Sequence, residues 1–282
     1  MQVEKAHQLG LCFGVRRAVD VVREAASRYR GLQTLGPVAH NRHLLQELAA
    51  LGVATVNSLD ELSGPAVVIS AHGVAPSVLQ ELTARGLHII DTTCPNVARA
   101  QHIVARLADE GFTIVIFGDA DHTEVRGLLG WARGRGAAAL RTAELAAFPN
   151  RGSSRRMAVI SQTTQRLEQF TGFAQELCGL VMKEADEMRV VNTVCDATAR
   201  RQSAAADLAR NVDIMLVVGG RHSANTRRLA ETCAAVVETH HVETADEIDQ
   251  TWFAGKEKAG LTAGASTPDS VIDEVAQRLS SL

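Results

Sequence analysis

The sequence predicts an α/β protein made of three related units, packed as a trefoil about a pseudo-threefold axis. Two observations carry this. Three cysteine-led segments recur along the chain, each running into a helical pattern, and the same distance separates each cysteine from a strand-closing glycine. Short apolar runs of strand length also alternate with stretches that are apolar at helical spacing, the pattern of parallel strands joined by right-handed crossovers.

The copies open with "CFGVRRAVDVVREAASRYR" from Cys12, "CPNVARAQHIVARLADEG" from Cys94 and "CDATARRQSAAADLARN" from Cys195. Arg17, Arg99 and Arg200 each stand five residues after a cysteine. Val97, Ile103, Val104 and Leu107 give the second of these helices an apolar stripe. Pro95 suits its first position, where a missing N–H is not needed. Each helix leads to a strand ending in glycine, "LQTLG", "IVIFG" and "LVVG", and Gly36, Gly118 and Gly219 each fall 24 residues after their cysteine. A polar loop then opens a second helix in "PVAHNRHLLQEL", "DADHTEVRGLL" and "GRHSANTRRLAE". A later strand enters a small polar turn and a third helix in "AVVISAHGVAPSVLQEL", "MAVISQTTQRLEQF" and "AGLTAGASTPDSVIDEV". Before Cys94, Leu87–His88–Ile89–Ile90 reads as a short buried strand. The expected units are residues 13–94, 95–192 and 193–282, the last joined by the N-terminal segment 1–12. They exceed the usual solenoid periods, so a closed arrangement is expected. Equivalent loops at the carboxyl ends of the strands would face inward, where parallel sheets place their ligands.

Composition narrows the function. The 282 residues are 46% hydrophobic and 22% charged, enough apolar content for sizeable cores. A formal net charge of −3 gives no reason to expect nucleic acid or an acidic membrane as partner. With seven Phe, one Tyr and two Trp, stacking on bases is not the activity. No apolar leader or membrane-length run is visible, and five cysteines without a secretory signal point to a reducing, cytoplasmic setting. The chain has no CxxC pair, no GxGxxG loop and no GxxxxGK[ST] loop, so zinc-ribbon, thioredoxin and common nucleotide-binding readings lack their signatures.

A lone cysteine is most often a buried thiol without a role. Threefold equivalence alters this for Cys12, Cys94 and Cys195, which would converge if their positions face the axis. Cys178 and Cys233 have no counterparts and read as core thiols. Three soft thiolates suit zinc, copper(I) or an iron–sulfur cluster. Structural zinc wants a fourth ligand that the repeat does not supply, whereas a cubane cluster held by three cysteines leaves one iron open. The surrounding loops offer His40 and Asn41, His122 and Glu124, Ser223 and Asn225, and then Ser70 and His72, Thr163 and Thr164, Thr262 and Ser266. Such donors at helix N-termini bind phosphate or another anion. His7, His88 and His240 read as structural residues. Glu124 is either a first-turn glutamate favoured by the helix dipole or a proton donor whose pKa burial raises. Asp119 and Asp121 read as loop-shaping residues.

With these residues assembled, the chain resembles the LytB/IspH family of diphosphate reductases. The motifs "LGLCFGVRRAVD", "AHN", "SAHG", "DTTCP", "GDADHTEVRG", "SQTT", "CDATARRQ", "GGRHSANTRRLAE" and "TAGASTPD" carry the resemblance, in order and over nearly the whole length. The resemblance implies a trefoil around a central 4Fe–4S cluster held by Cys12, Cys94 and Cys195, with an open fourth iron. It implies reductive dehydroxylation of 4-hydroxy-3-methylbut-2-enyl diphosphate to isopentenyl and dimethylallyl diphosphates, the last step of the methylerythritol phosphate route. By the same likeness, Glu124 delivers a proton, Thr163 helps to hold the hydroxyl, and His122 lies over the substrate chain. His40, His72, Ser223, Asn225 and Ser266 match the diphosphate set, and Thr198 neighbours Glu124. Electrons would come from an external donor such as a ferredoxin or flavodoxin. The chain departs from familiar members at His222 and Ala224, which flank Ser223 where others can have Asn and Ser, and at Leu11 and Phe13. The alternative is a paralogue using the same cluster on a different phosphorylated alkene or alkyne, as hydratase, lyase or reductase. A pure electron carrier would have no need of the polar ring.

Overall fold

Three parallel sheets of four strands each organise the chain in the computed structural model, which describes residues 1–147 and 155–282. The elements begin with β1 (Gln2–Lys5), α1 (Phe13–Arg28), β2 (Gln33–Leu35), α2 (Arg42–Ala50), β3 (Ala54–Val56), β4 (Ala66–Ile69), α3 (Pro76–Ala84) and β5 (His88–Asp91). They continue with α4 (Pro95–Asp109), β6 (Thr113–Phe117), α5 (Thr123–Trp131), β7 (Gly136–Ala139), β8 (Arg156–Ser161), α6 (Leu167–Val181) and β9 (Glu187–Val191). The last are α7 (Asp196–Ala209), β10 (Ile214–Val218), α8 (Ala224–Ala234), β11 (Thr239–Val242), β12 (Lys258–Ala263) and α9 (Asp269–Ser280).

The strand orders are β3-β2-β4-β5, β7-β6-β8-β9 and β11-β10-β12-β1, with every neighbouring pair parallel. The three orders are one topology. In the third sheet the N-terminal strand β1 takes the edge position that β5 and β9 hold in the other two. By its internal contacts the chain divides into two compact units. One unit, Met1–Arg23, Pro37–Gly52 and Asp196–Leu282, carries the sheet containing β1. The other, Glu24–Gly36 and Val53–Cys195, carries the remaining two sheets.

Alternation on the central strands explains the layering, because successive side chains point to opposite faces. On β10, Ile214, Leu216 and Val218 join Leu261 of β12 and Val271 and Val275 of α9. Met215 and Val217 face the other way, onto Ala205 and Leu208 of α7 and Leu229 of α8. On β6, Ile114 and Ile116 pack with Val104 and Leu107 of α4 and Leu128 of α5, while Val115 and Phe117 meet Phe170, Phe173 and Leu177 of α6. Strands covered on both faces read as continuous apolar runs, and these do.

Three expectations are corrected. The strand before Cys94 is β5, and it is not buried: His88 and Asp91 are exposed and Ile89 and Ile90 half-buried, because among the described residues it is an edge strand paired only with β4. Cys178 is half-buried rather than a core thiol. Thr262 lies inside β12 rather than in the loop after it. The edge strands β3, β7 and β11 carry no strand-like pattern, and neighbouring strands hold them in place.

Candidate functional site

Each repeated cysteine stands between an edge strand and a helix: Cys94 between β5 and α4, Cys195 between β9 and α7, and Cys12 between β1 and α1. The backbone ties are the same in all three. Cys12 N–H donates to Ala265 O at 2.9 Å, Cys94 N–H to Ala71 O at 3.0 Å and Cys195 N–H to Thr163 O at 3.0 Å. Each acceptor lies two residues beyond the end of its own strand, β12, β4 or β8. The cysteines are therefore equivalent in hydrogen bonding as well as in spacing. All three are half-buried thiols, none in a disulfide. Val15 N–H donates to Cys12 Sγ at 3.5 Å, an N–H···S contact of the kind that tunes iron–sulfur centres. Three soft donors at equivalent junctions fit such a group. Cys233 differs, since burial pushes its thiol up to about 12 and keeps it protonated.

In the unit with two sheets, the loops after β4, β6 and β8 assemble one polar chain. Glu124 opens α5 and is only 1% exposed. Thr163 N–H donates to its Oε1 at 2.7 Å, and the Thr163 hydroxyl donates to Oε2 at 2.9 Å. Glu124 N–H donates to Nδ1 of His122, the N-cap of α5, at 3.1 Å. That bond occupies the Nδ1 lone pair, so neutral His122 carries its proton on Nε2 and presents a donor there. The His72 ring meets His122 edge-on at 5.5 Å between centroids, and Ser70 Oγ lies 3.3 Å from His72 Nδ1.

In the other unit, Ser223 caps α8 by accepting Thr226 N–H at 3.2 Å, and Asn225 and Ser266 are buried. The Ser266 hydroxyl donates to His40 O at 3.4 Å. Gly220 sits against the same carbonyl so closely that a Cβ there would lie 2.3 Å from it. His40 titrates below its ordinary value, first because burial disfavours its charge and then because of the electrostatic influence of His222 and Arg227. Asn41 caps α2, accepting Leu44 N–H at 3.1 Å. Thr198 is buried in the first turn of α7.

One residue escaped the sequence reading. Gln162, fully buried, accepts from Asp119 N–H at 3.4 Å and from Gln165 Nε2 at 3.1 Å, and so braces the loop that leads to His122. Its signal was its place in "SQTT", directly before Thr163. Asp119 does shape its loop, accepting Asp121 N–H at 3.1 Å. His88 stacks on Tyr29 and His240 on Trp252, as structural residues do. Among the described residues no helix is long and apolar enough to cross a membrane.

Comparison with known proteins adds to this geometry. A family model described as LytB protein matches residues 3–280. A 4-hydroxy-3-methylbut-2-enyl diphosphate reductase of Dehalococcoides mccartyi (strain CBDB1) is 45% identical over 282 residues, covering 100% of this chain and 99% of that protein. One of Geobacter sulfurreducens is 42% identical over 280 residues, covering 99% and 97%. A solved structure of (E)-4-hydroxy-3-methyl-but-2-enyl diphosphate reductase, the terminal enzyme of the non-mevalonate pathway, is similar with a TM-score of 0.72, 35% identity and complete coverage of both chains. The structure of a Plasmodium falciparum reductase, at 23% identity, shares the fold with a TM-score of 0.91 over 99% of this chain and 88% of that one.

Proposed function

The chain belongs to the LytB protein family, and from this premise we propose how its residues carry out the reaction of its relatives. It is a 4-hydroxy-3-methylbut-2-enyl diphosphate reductase, an iron–sulfur oxidoreductase of isoprenoid biosynthesis. The allylic C–O bond breaks, two electrons and two protons enter, and water leaves with isopentenyl or dimethylallyl diphosphate as product.

The observation that carries the site assignment is the shared N–H bond of Cys12, Cys94 and Cys195 to an equivalent loop carbonyl. In this reading the repeats 13–94, 95–192 and 193–282, the last joined by 1–12, bring the three thiolates together on one 4Fe–4S cluster with an open fourth iron. When bound, that cluster supplies one-electron transfer and Lewis acidity. Everything else falls to the chain. Glu124 holds the proton for the departing hydroxyl, and Thr163, bonded to both carboxylate oxygens, fixes its direction. His122 turns its Nε2 donor toward the substrate, with His72 beside it. His40, His72, Ser223, Asn225 and Ser266 receive the diphosphate, aided by the N-termini of α2 and α8, and Thr198 completes the polar wall near Glu124. An external ferredoxin or flavodoxin in the cytoplasm supplies the electrons.

The test is anaerobic. Purified enzyme is mixed with reduced methyl viologen, and its oxidation is followed with and without 4-hydroxy-3-methylbut-2-enyl diphosphate. Substrate-dependent oxidation supports the assignment. An iron-loaded enzyme that leaves the viologen reduced would reject this substrate in favour of another phosphorylated alkene.

A further inference from the structure

The links leading to the three cysteines differ in length. Two residues, Thr92 and Thr93, separate β5 from Cys94, and three, Asn192–Val194, separate β9 from Cys195. Six, Ala6–Leu11, separate β1 from Cys12. In both short links a threonine hydroxyl turns back to the end of the neighbouring strand. Thr92 Oγ1 donates to Ile69 O at 2.5 Å, and Thr193 Oγ1 donates to Ser161 O while accepting Ser161 N–H at 2.8 Å. The long link, "AHQLGL", has no hydroxyl side chain.

Arg201 takes that place. Its Nη2 donates to Gly10 O at 2.8 Å and its Nη1 to Ala197 O at 3.1 Å, and the residue is only 5% exposed. The positions six residues after the other two cysteines hold Ala18 and Ala100, both wholly buried. An arginine thus stands in the third copy where the first two have alanine, and it reaches the one link that has no hydroxyl tie, beyond the bond of Ala6 N–H to Leu261 O at 2.9 Å. A planar guanidinium can hold two carbonyls at fixed angles, which an ammonium cannot. Gly10 fits the grip tightly. Its φ of +77° is one that L side chains avoid, and a Cβ there would lie 3.1 Å from both Asp269 Oδ1 and Ile272 Cδ1.

We propose that Arg201 is a positioning residue for Cys12, clamping the link to α7 so that the thiol is presented to the iron–sulfur group. The proposal rests on Cys12 being a ligand. Its test uses the anaerobically purified holoenzyme with Arg201→Ala, Arg201→Lys and Cys12→Ser. The readouts are iron per chain and the rate at which iodoacetamide labels each cysteine, followed by peptide mass spectrometry. In Arg201→Ala, Cys12 labels at least about tenfold faster than in the parent and iron falls, while Cys233 stays unlabelled; Arg201→Lys, with one bond restorable, lies between. Labelling of Cys233 in the alanine variant would signal unfolding, and the lysine variant then decides, with wild-type labelling of Cys12 overturning the proposal. Full iron and unchanged Cys12 labelling in a folded Arg201→Ala would likewise overturn it, provided Cys12→Ser loses iron. Full iron in Cys12→Ser would overturn the ligand assignment itself.

Discussion

Thr163 holds both oxygens of the buried Glu124 carboxyl, one through its backbone N–H at 2.7 Å and the other through its hydroxyl at 2.9 Å. The grip separates a chemical contribution from a structural one. Glu124→Gln keeps the size and one acceptor oxygen but cannot carry the proton. It should lower kcat by about a hundredfold or more, the scale of a lost general acid, with little change in KM. Steady-state kinetics with reduced viologen check this.

Thr163→Val keeps the backbone bond and removes the hydroxyl, leaving a buried oxygen without that partner. It should cost about 1–3 kcal/mol of stability, read by denaturant unfolding of the apoprotein.

His40 gives a pH dependence whose sign is fixed. Its folded pKa lies below the ordinary histidine value of 6.5, first through burial and then through His222 and Arg227. The unfolded chain therefore binds the proton more readily. The contribution of neutral His40 to stability is complete above pH about 6.5 and is lost as pH falls from there toward the folded value. His40→Asn should flatten this part of the acid limb. A bound diphosphate reverses the repulsion, so binding at pH 6 should take up protons, which calorimetry in buffers of different ionisation enthalpy will detect.

Gly220 packs on the His40 backbone, which cannot swing aside as a side chain can. Gly220→Ala would place its Cβ 2.3 Å from His40 O, so the loop or the histidine must move. We expect a loss of about 1–3 kcal/mol and weaker pyrophosphate binding, with iron content unchanged.

Four of the five cysteines should divide by reactivity. In apoprotein treated with iodoacetamide under native conditions, Cys12, Cys94 and Cys195, half-buried at helix starts, should label. Cys233, fully buried with its thiol pushed up to about 12, should not label before unfolding.

The repeat was legible because the residues that define it are fixed by spacing. A cysteine, a helix and, 24 residues on from the cysteine, a glycine after a covered strand survive as a one-dimensional pattern. Strands β6 and β10 were legible for a related reason, since burial on both faces writes a continuous apolar run. "GAAA" of β7 and "THHV" of β11 carry no such mark, as their existence depends on the strand beside them. The site divides the same way. Glu124 stood out as a carboxylate two residues from a loop histidine, but its bond to Thr163 joins residues 39 apart and follows from the pairing of β6 with β8. His122 as a helix cap was hidden because histidine seldom serves as one.

The placement of β1 sets an order of events during synthesis. Its Gln2 pairs with Lys258 of β12, so the strand is synthesised long before this partner in the sheet. Cys12 N–H finds Ala265 O only once synthesis has passed β12. Before then the tie of Cys94 N–H to Ala71 O has long been possible, while Cys12 still follows an unpaired strand. On the ligand assignment proposed above, full metal loading waits for β12, and a nascent chain stalled before that strand should accumulate without iron.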